Sequence, residues 1–181
     1  MADTADPARS PVSPSAVGAG RWILDPAGTT VRVRHRTFWG LVTVSGVFTG
    51  VSGEGEVPAD GPARGSLTVD AASLDTRNAK RDDHLRSADF LDTDRHPEIV
   101  FVVSGAVPGE GAAVRVEGEL TVLGNTRPLS FTARLTEATA DAATLTAEVP
   151  IDRTDFGMTW NRLGMMPGAA AMTVTARFTR R

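Results

Sequence analysis

Leu129-Ser130-Phe131-Thr132-Ala133-Arg134-Leu135 sets an apolar side chain at every second position, with hydroxyls and a guanidinium between them. Side chains of an extended strand point alternately to opposite faces, so this stretch buries one face and wets the other. The same period spreads outward in both directions. Upstream, Val114, Val116, Leu120 and Val122 alternate with Arg115, Glu117, Glu119 and Thr121. Val42, Val44 and Phe48 alternate with Thr43, Ser45 and Thr49, and Val31 and Val33 with Arg32, Arg34 and Arg36. Downstream, Leu145, Ala147, Val149 and Ile151 alternate with Thr146, Glu148 and Asp152, and Met172, Val174, Ala176 and Phe178 with Thr173, Thr175, Arg177 and Thr179. Turn signals punctuate the runs at Asp25-Pro26-Ala27-Gly28, Ala59-Asp60-Gly61-Pro62, Pro108-Gly109-Glu110-Gly111 and Gly124-Asn125. Such spacing indicates a sandwich or a barrel. The long amphipathic runs favour closure, which leaves no edge unpaired. The expected fold is all-β, a closed up-and-down antiparallel barrel, with a sandwich as the structural alternative.

One stretch interrupts the alternation. Arg81 to Phe101, RDDHLRSADFLDTDRHPEIVF, is charged and holds His84 and His96. Long excursions of this kind tend to be functional, since most connections are short. Asn78 is positioned to cap a helix from Ala79 to about Ser87, with Arg81 and Leu85 on one face, inside a helical insertion around residues 79–92. His96-Pro97 ends the excursion, because the residue before proline is pushed to extended geometry. Asp82 and Asp83 are adjacent and do not face each other, so both are expected to be solvated at the helix start. Ile99 to Val103 is apolar on both faces, which predicts that the preceding helix covers its outer side.

Composition narrows the function. Hydrophobic residues make up 41% and charged residues 23%, a soluble globular balance for one domain. A net charge of −3 without basic blocks offers no electrostatic case for nucleic acid or for anionic surfaces. The absence of cysteine excludes disulfides and thiolate chemistry. No run approaches the ~18 apolar residues that membrane insertion requires. Residues 1–20, with prolines at 7, 11 and 14, are expected to form a disordered N-terminal tail ahead of a barrel domain at 21–181. The tail lacks the charged and apolar regions of a secretory signal, so a cytoplasmic location is expected.

Few residues suggest chemistry. His35 falls in phase with Val31 and Val33 and should point inward, where a polar ring must find a partner or a ligand. His84 and His96, with nearby aspartates, raise the alternative of a metal-assisted enzyme, although their spacing matches no standard metal signature. No nucleophile elbow or triad context is present. Phe156, Met158, Trp160, Met165 and Met166 lie in a loop with glycines at 157, 164 and 168, and suit either a plug for the core or an adaptable gate on a cavity. An interaction module using this loop is a further alternative. No catalytic residue, metal ligand or cofactor is assigned.

Several pieces, in order, resemble the YceI-like family of lipid-binding barrels. They are Trp22 to Pro26, Ser73-Leu74-Asp75-Thr76, the stretch Arg81 to Asp92, Pro97-Glu98-Ile99-Val100-Phe101, Gly118-Glu119-Leu120-Thr121 with Gly124-Asn125-Thr126-Arg127-Pro128, and Arg153 to Met158. The resemblance runs from about residue 22 to residue 179. It implies an all-β fold, an extended antiparallel lipocalin-like β-barrel of about eight strands, whose apolar tunnel holds a polyisoprenoid or another long-chain amphiphile, and a non-enzymatic role in transport or sequestration. The ligand would be an isoprenoid, an isoprenoid quinone or a fatty-acyl compound. The expected ligand-contacting set is His35, Phe38, Phe48, His84, Phe90, Phe101, Leu120, Phe131, Phe156, Met158 and Trp160. The family often pairs into dimers, and the apolar loop is compatible with a homodimer.

Overall fold

The alternating stretches become strands. A computed structural model describes residues 12–38, 41–161, 164 and 168–181. β1 (Gly20–Leu24) and β2 (Thr30–Thr37) are separated by a short 3-10 turn at Pro26–Gly28. β3 (Val42–Phe48) and β4 (Val51–Val57) are parted at Thr49 and Gly50. β5 (Ala63–Asp70) and a two-residue β6 (Leu74–Asp75) precede the helix α1 (Ala79–Arg86). The remaining strands are β7 (Glu98–Pro108), β8 (Ala113–Val122), β9 (Asn125–Ala138), β10 (Ala142–Asp152) and β11 (Ala169–Arg180).

Pairing is antiparallel in the order β1-β4-β5-β7-β8-β9-β10-β11, and β1 closes on β11 through Trp22↔Arg180 and Leu24↔Phe178. The result is a closed barrel of eight strands with one short helix. β2 continues the line of β1 along β11, and β3 pairs with β2 as β4 pairs with β1. The break between β1 and β2 has a local cause. The Asp25 carboxylate accepts from the Ala27 N–H at 3.0 Å, and Gly28 passes so close to Arg177 that a Cβ would lie 2.3 Å from its Cδ. The β8–β9 hairpin turns on Leu123 (φ 53) and Gly124 (φ 71), the paired left-handed conformation that two-residue hairpins favour.

The β9–β10 ladder is short. It runs from Ala143↔Ala138 to Thr146↔Arg134, with an irregularity at Thr144/Leu145, and stops there. Below it, residues 125–133 of β9 and 147–152 of β10 have no ladder partner on each other. Over these same stretches the other edges of the two strands are paired, with β8 and β11.

The connections sort to two ends. Turns at 58–62, 109–112 and 139–141 share one end, called upper here, with the N-terminal segment and the chain end after β11. The other end, called lower, carries the β2–β3 hairpin, the segment 71–97 with α1, the turn at Leu123–Gly124 and the loop after β10.

α1 begins as expected, with the Asn78 side chain accepting from the Arg81 N–H at 3.0 Å. Two other expectations need correction. Asp82 is not solvated but 6% exposed, and its carboxylate accepts from the Thr76 N–H (3.0 Å) and hydroxyl (2.5 Å). Arg81 donates to the same threonine, to Oγ1 at 2.7 Å and to the carbonyl at 2.8 Å. Thr76 therefore ties the helix start to the end of β6, and the placement of Asp82 comes from that hub rather than from the helix dipole. Asp83, one residue on, is exposed and lies 3.5 Å from Arg86. Second, the helix does not cover the outer face of β7: its main contact is with β6, and Val102 remains 50% exposed. Asp82→Ala strips a buried N–H of its acceptor, which costs about 1–3 kcal/mol. Urea denaturation is expected to show that loss, and Asp82→Asn, which keeps an acceptor, to show less of it.

The tail expected over residues 1–20 falls into two parts. Residues 1–11 lie outside the described residues. From Val12 on, Pro14–Ala16 form a 3-10 turn, and Val12 and Val17 pack against the barrel core.

Candidate functional site

The inward rows do not fill the barrel. They surround a cavity of about 360 Å³, within the usual range for small-molecule sites. Its wall is built from the alternation itself. Leu129, Phe131, Ala133 and Leu135 of β9, Leu145 to Ile151 of β10 at every second position, and Met172 to Phe178 of β11 in the same phase all border it. Phe101 of β7 and Phe131 of β9, the two strands flanking β8, meet at a tilt on one side of the bore, with ring centroids 5.6 Å apart. On the strands next to β7 the wall is thin. β4 and β5 contribute Gly55 paired with Gly65, where a Cβ on Gly65 would sit 2.4 Å from the Glu54 carbonyl. Glu54, Glu56 and Arg64 border the cavity, but their side chains are exposed, and Glu54 pairs with Arg21 at 2.7 Å. Among the described residues, no buried side-chain nitrogen or oxygen lacks a hydrogen-bond partner. The inward side chains that border the bore are mostly aliphatic or aromatic, which suits it to holding hydrocarbon.

Nine of the eleven expected contact residues fall into three groups. Phe101, Leu120 and Phe131 border the cavity. Phe48, Phe156 and Met158 pack into the core without bordering it, at 6% and 4% exposure for the two phenylalanines and half-buried for the methionine. His84, Phe90 and Trp160 form a cluster of their own, with ring centroids 5.0 to 5.1 Å apart, that docks α1 on the loop after β10. His84 Nε2 also lies 3.1 Å from Asp89 Oδ2. His35 is half-buried on the inward row, as its phase predicts, and is engaged by a neighbouring group, but it does not border the cavity. Phe38 departs most from expectation. It takes a left-handed φ of 52° at the tip of the β2–β3 hairpin, accepts there from the Leu41 N–H at 3.1 Å, and is 47% exposed. Met165 and Met166 lie outside the described residues.

His84 and His96 do not share a donor set. His96 lies beside the Gly124 turn, where a Cβ on Gly124 would approach its Cε1 to 3.2 Å. No group of three or more histidine, aspartate or glutamate side chains able to hold a metal forms among the described residues.

The loop after β10 closes the lower end, and Arg153 organises it. This arginine is 6% exposed and donates from Nη1 to the carbonyls of Met158 (2.8 Å) and Trp160 (2.9 Å). Burial lowers its pKa from the ordinary guanidinium value, yet arginine starts so high that it stays charged. Next to it, hydrogen bonds from the Thr154 hydroxyl (2.6 Å) and N–H (2.9 Å), with a smaller contribution from the Arg153 charge, hold the Asp152 carboxyl below the usual carboxylate range. Asn125 ties the loop to the β8–β9 turn by donating to the Phe156 carbonyl at 3.0 Å.

Sequence reasoning missed the β4–β5 wall and the contribution of Pro14 and Val17, both of which border the cavity. The signal for β4 was present in another form: Ser52-Gly53-Glu54-Gly55-Glu56 alternates glycine with polar residues rather than aliphatic with polar.

Residues 22–179 match the model of the YceI-like domain. The chain belongs to that family. Among YceI-like relatives, Protein YceI of Shigella flexneri is 41% identical over 70 residues, a match spanning 39% of this chain and only 36% of that relative. The fold of BcnA from Burkholderia cenocepacia superposes with a TM-score of 0.76 at 21% identity, covering 85% of this chain and 98% of that one. A polyisoprenoid binding domain from Saccharophagus degradans, implicated in plant cell wall breakdown, superposes with a TM-score of 0.71 at 14% identity, covering 88% and 98%. At such identities the two structures speak to the YceI-like fold alone.

Proposed function

We propose that this YceI-like chain is a non-enzymatic carrier that binds or sequesters a long-chain amphiphile, of polyisoprenoid, isoprenoid quinone or fatty-acyl type, inside its barrel. One observation carries the proposal: the inward rows leave an apolar cavity of about 360 Å³ where a filled barrel would hold side chains. The ligand class is supported by the Saccharophagus relative, itself called a polyisoprenoid binding domain. Burial supplies enough free energy without a charged clamp. At about 0.8 kcal/mol per methylene, a chain of about 20 carbons gains roughly 16 kcal/mol gross. Association and ordering remove much of this, and micromolar to nanomolar affinity remains within reach.

The test is direct. Organic extraction of the purified protein followed by mass spectrometry is expected to release a long-chain lipid, and a fluorescent fatty-acid probe is expected to bind the emptied protein at one site. Absence of both sinks the proposal.

A further inference from the structure

The cavity reaches the upper end of the barrel, and the chain before β1 lies across it there. Pro14 and Val17 border the cavity together with Gly61 and Pro108 of the upper turns. The turn at Pro14–Ala16 packs against β9, three strands around the ring from β1. Residues 12–17 therefore span the mouth as a strap.

The strap and its root are held very differently. At the root, the Trp22 indole donates to the Gly18 carbonyl at 3.0 Å. The Arg180 guanidinium donates to the Ala19 carbonyl at 3.1 Å and to Asp141 at 3.0 Å. Gly18 sits so tightly that a Cβ would lie 2.7 Å from the Ala140 carbonyl. Over residues 12–17 the hydrogen bonds are internal: Ala16 N–H to the Ser13 carbonyl (3.0 Å), Val17 N–H to the Pro14 carbonyl (3.1 Å), and the Ser13 and Ser15 hydroxyls to each other (2.8 Å). Only apolar contact of half-buried Val12, Pro14 and Val17 presses this segment onto the barrel. Segments with few buried contacts and no bonds to the scaffold open locally at little cost, while the ladders around them stay shut.

We infer that the upper end is the entrance for the ligand, and that Pro14 and Val17 are ligand-contacting residues of a strap that lifts to let it pass. The inference rests on the carrier proposal. It also places a ligand contact in a stretch that composition alone marks as a tail.

The experiment uses the full chain loaded with a fluorescent long-chain fatty acid, whose release into excess unlabelled competitor is followed by stopped flow. Val17→Asp puts a charge against the hydrocarbon mouth, and Gly18→Val displaces the root against Ala140. Each is expected to raise the release rate at least tenfold with the melting temperature within a few degrees of the unaltered chain. If one variant fails to fold, the other decides. A release rate within twofold of the parent in a folded variant overturns the inference and moves the exchange route elsewhere, the unpaired β9–β10 seam being the next place to look. Hydrogen exchange on the unaltered chain gives an independent reading. Amides of residues 12–17 are expected to exchange far faster than those of β7 and β8, and equal protection overturns the strap as a moving part. Failure of the unaltered chain to take up any probe is a different result: it removes the carrier proposal, and the entrance falls with it.

Discussion

Replacing Ala147 with phenylalanine is expected to lower the affinity for a long-chain probe by tenfold or more while leaving the barrel folded. Ala147 lies midway down β10 on its inward row, paired with Val174, and borders the cavity. A phenyl ring in place of its methyl enters space that a ligand would otherwise use. Each methylene the ring displaces forfeits about 0.8 kcal/mol. Two or three lost methylenes amount to roughly 1.6 to 2.4 kcal/mol, which exceeds the 1.4 kcal/mol of a tenfold change. The ring enters a void rather than a packed core, so the overpacking penalty that usually follows a small-to-large change is largely absent. The control is Val102→Phe on the outer face of β7, where 50% exposure places the new ring in water. Fluorescence titration of both variants checks the contrast. Equal affinity of Ala147→Phe and the parent would place the ligand outside the bore.

Arg153→Met is expected to destabilise the protein by about 2–3 kcal/mol, because it removes the donor shared by two half-buried carbonyls, those of Met158 and Trp160, each worth at most the roughly 1–3 kcal/mol of a fully buried group. For a chain of this length the melting temperature should fall on the order of 10 °C. The effect spreads because the loop holds two things at once. It carries Phe156 into the core, and it presents Trp160 to His84 and Phe90, which dock the helix. Loss of Arg153 therefore loosens both the lower closure and α1, and hydrogen exchange should rise over residues 79–91 as well as over 153–160. A change confined to the loop would mean that the ring cluster holds the helix without its help.

The parts of the barrel that were legible beforehand share one property: their inward positions are aliphatic. β8, β9, β10 and β11 were readable because Val, Leu, Ala, Met and Phe stand at alternate positions and nothing else explains that spacing. β4 and β5 were not, because Gly53, Gly55 and Gly65 hold the inner positions and hydropathy cannot see a missing side chain. The same blindness affected Asp82. Its neighbours in sequence are charged, and only the return of Thr76 to its side, six residues back, makes it a buried anchor. Phe38 shows the reverse: an aromatic residue close to an inward row is expected to contact ligand, but it sits on the hairpin turn with its side chain 47% exposed. His35 was placed in the right phase, yet it lies lower on β2 than Val31, the residue of that strand that borders the bore.

The ladder that stops at Thr146 and Arg134 has a mechanical consequence. Below that point, widening the tube at the β9–β10 joint breaks no backbone bridge between the two strands. Girth is then the soft dimension of this vessel and length the hard one, so branched and unbranched guests of equal reach should be tolerated alike. An open joint normally invites a stranger's strand. Here Pro128 and Pro150, one on each bank, carry no backbone N–H, which leaves fewer donors along these strands for such an intruder.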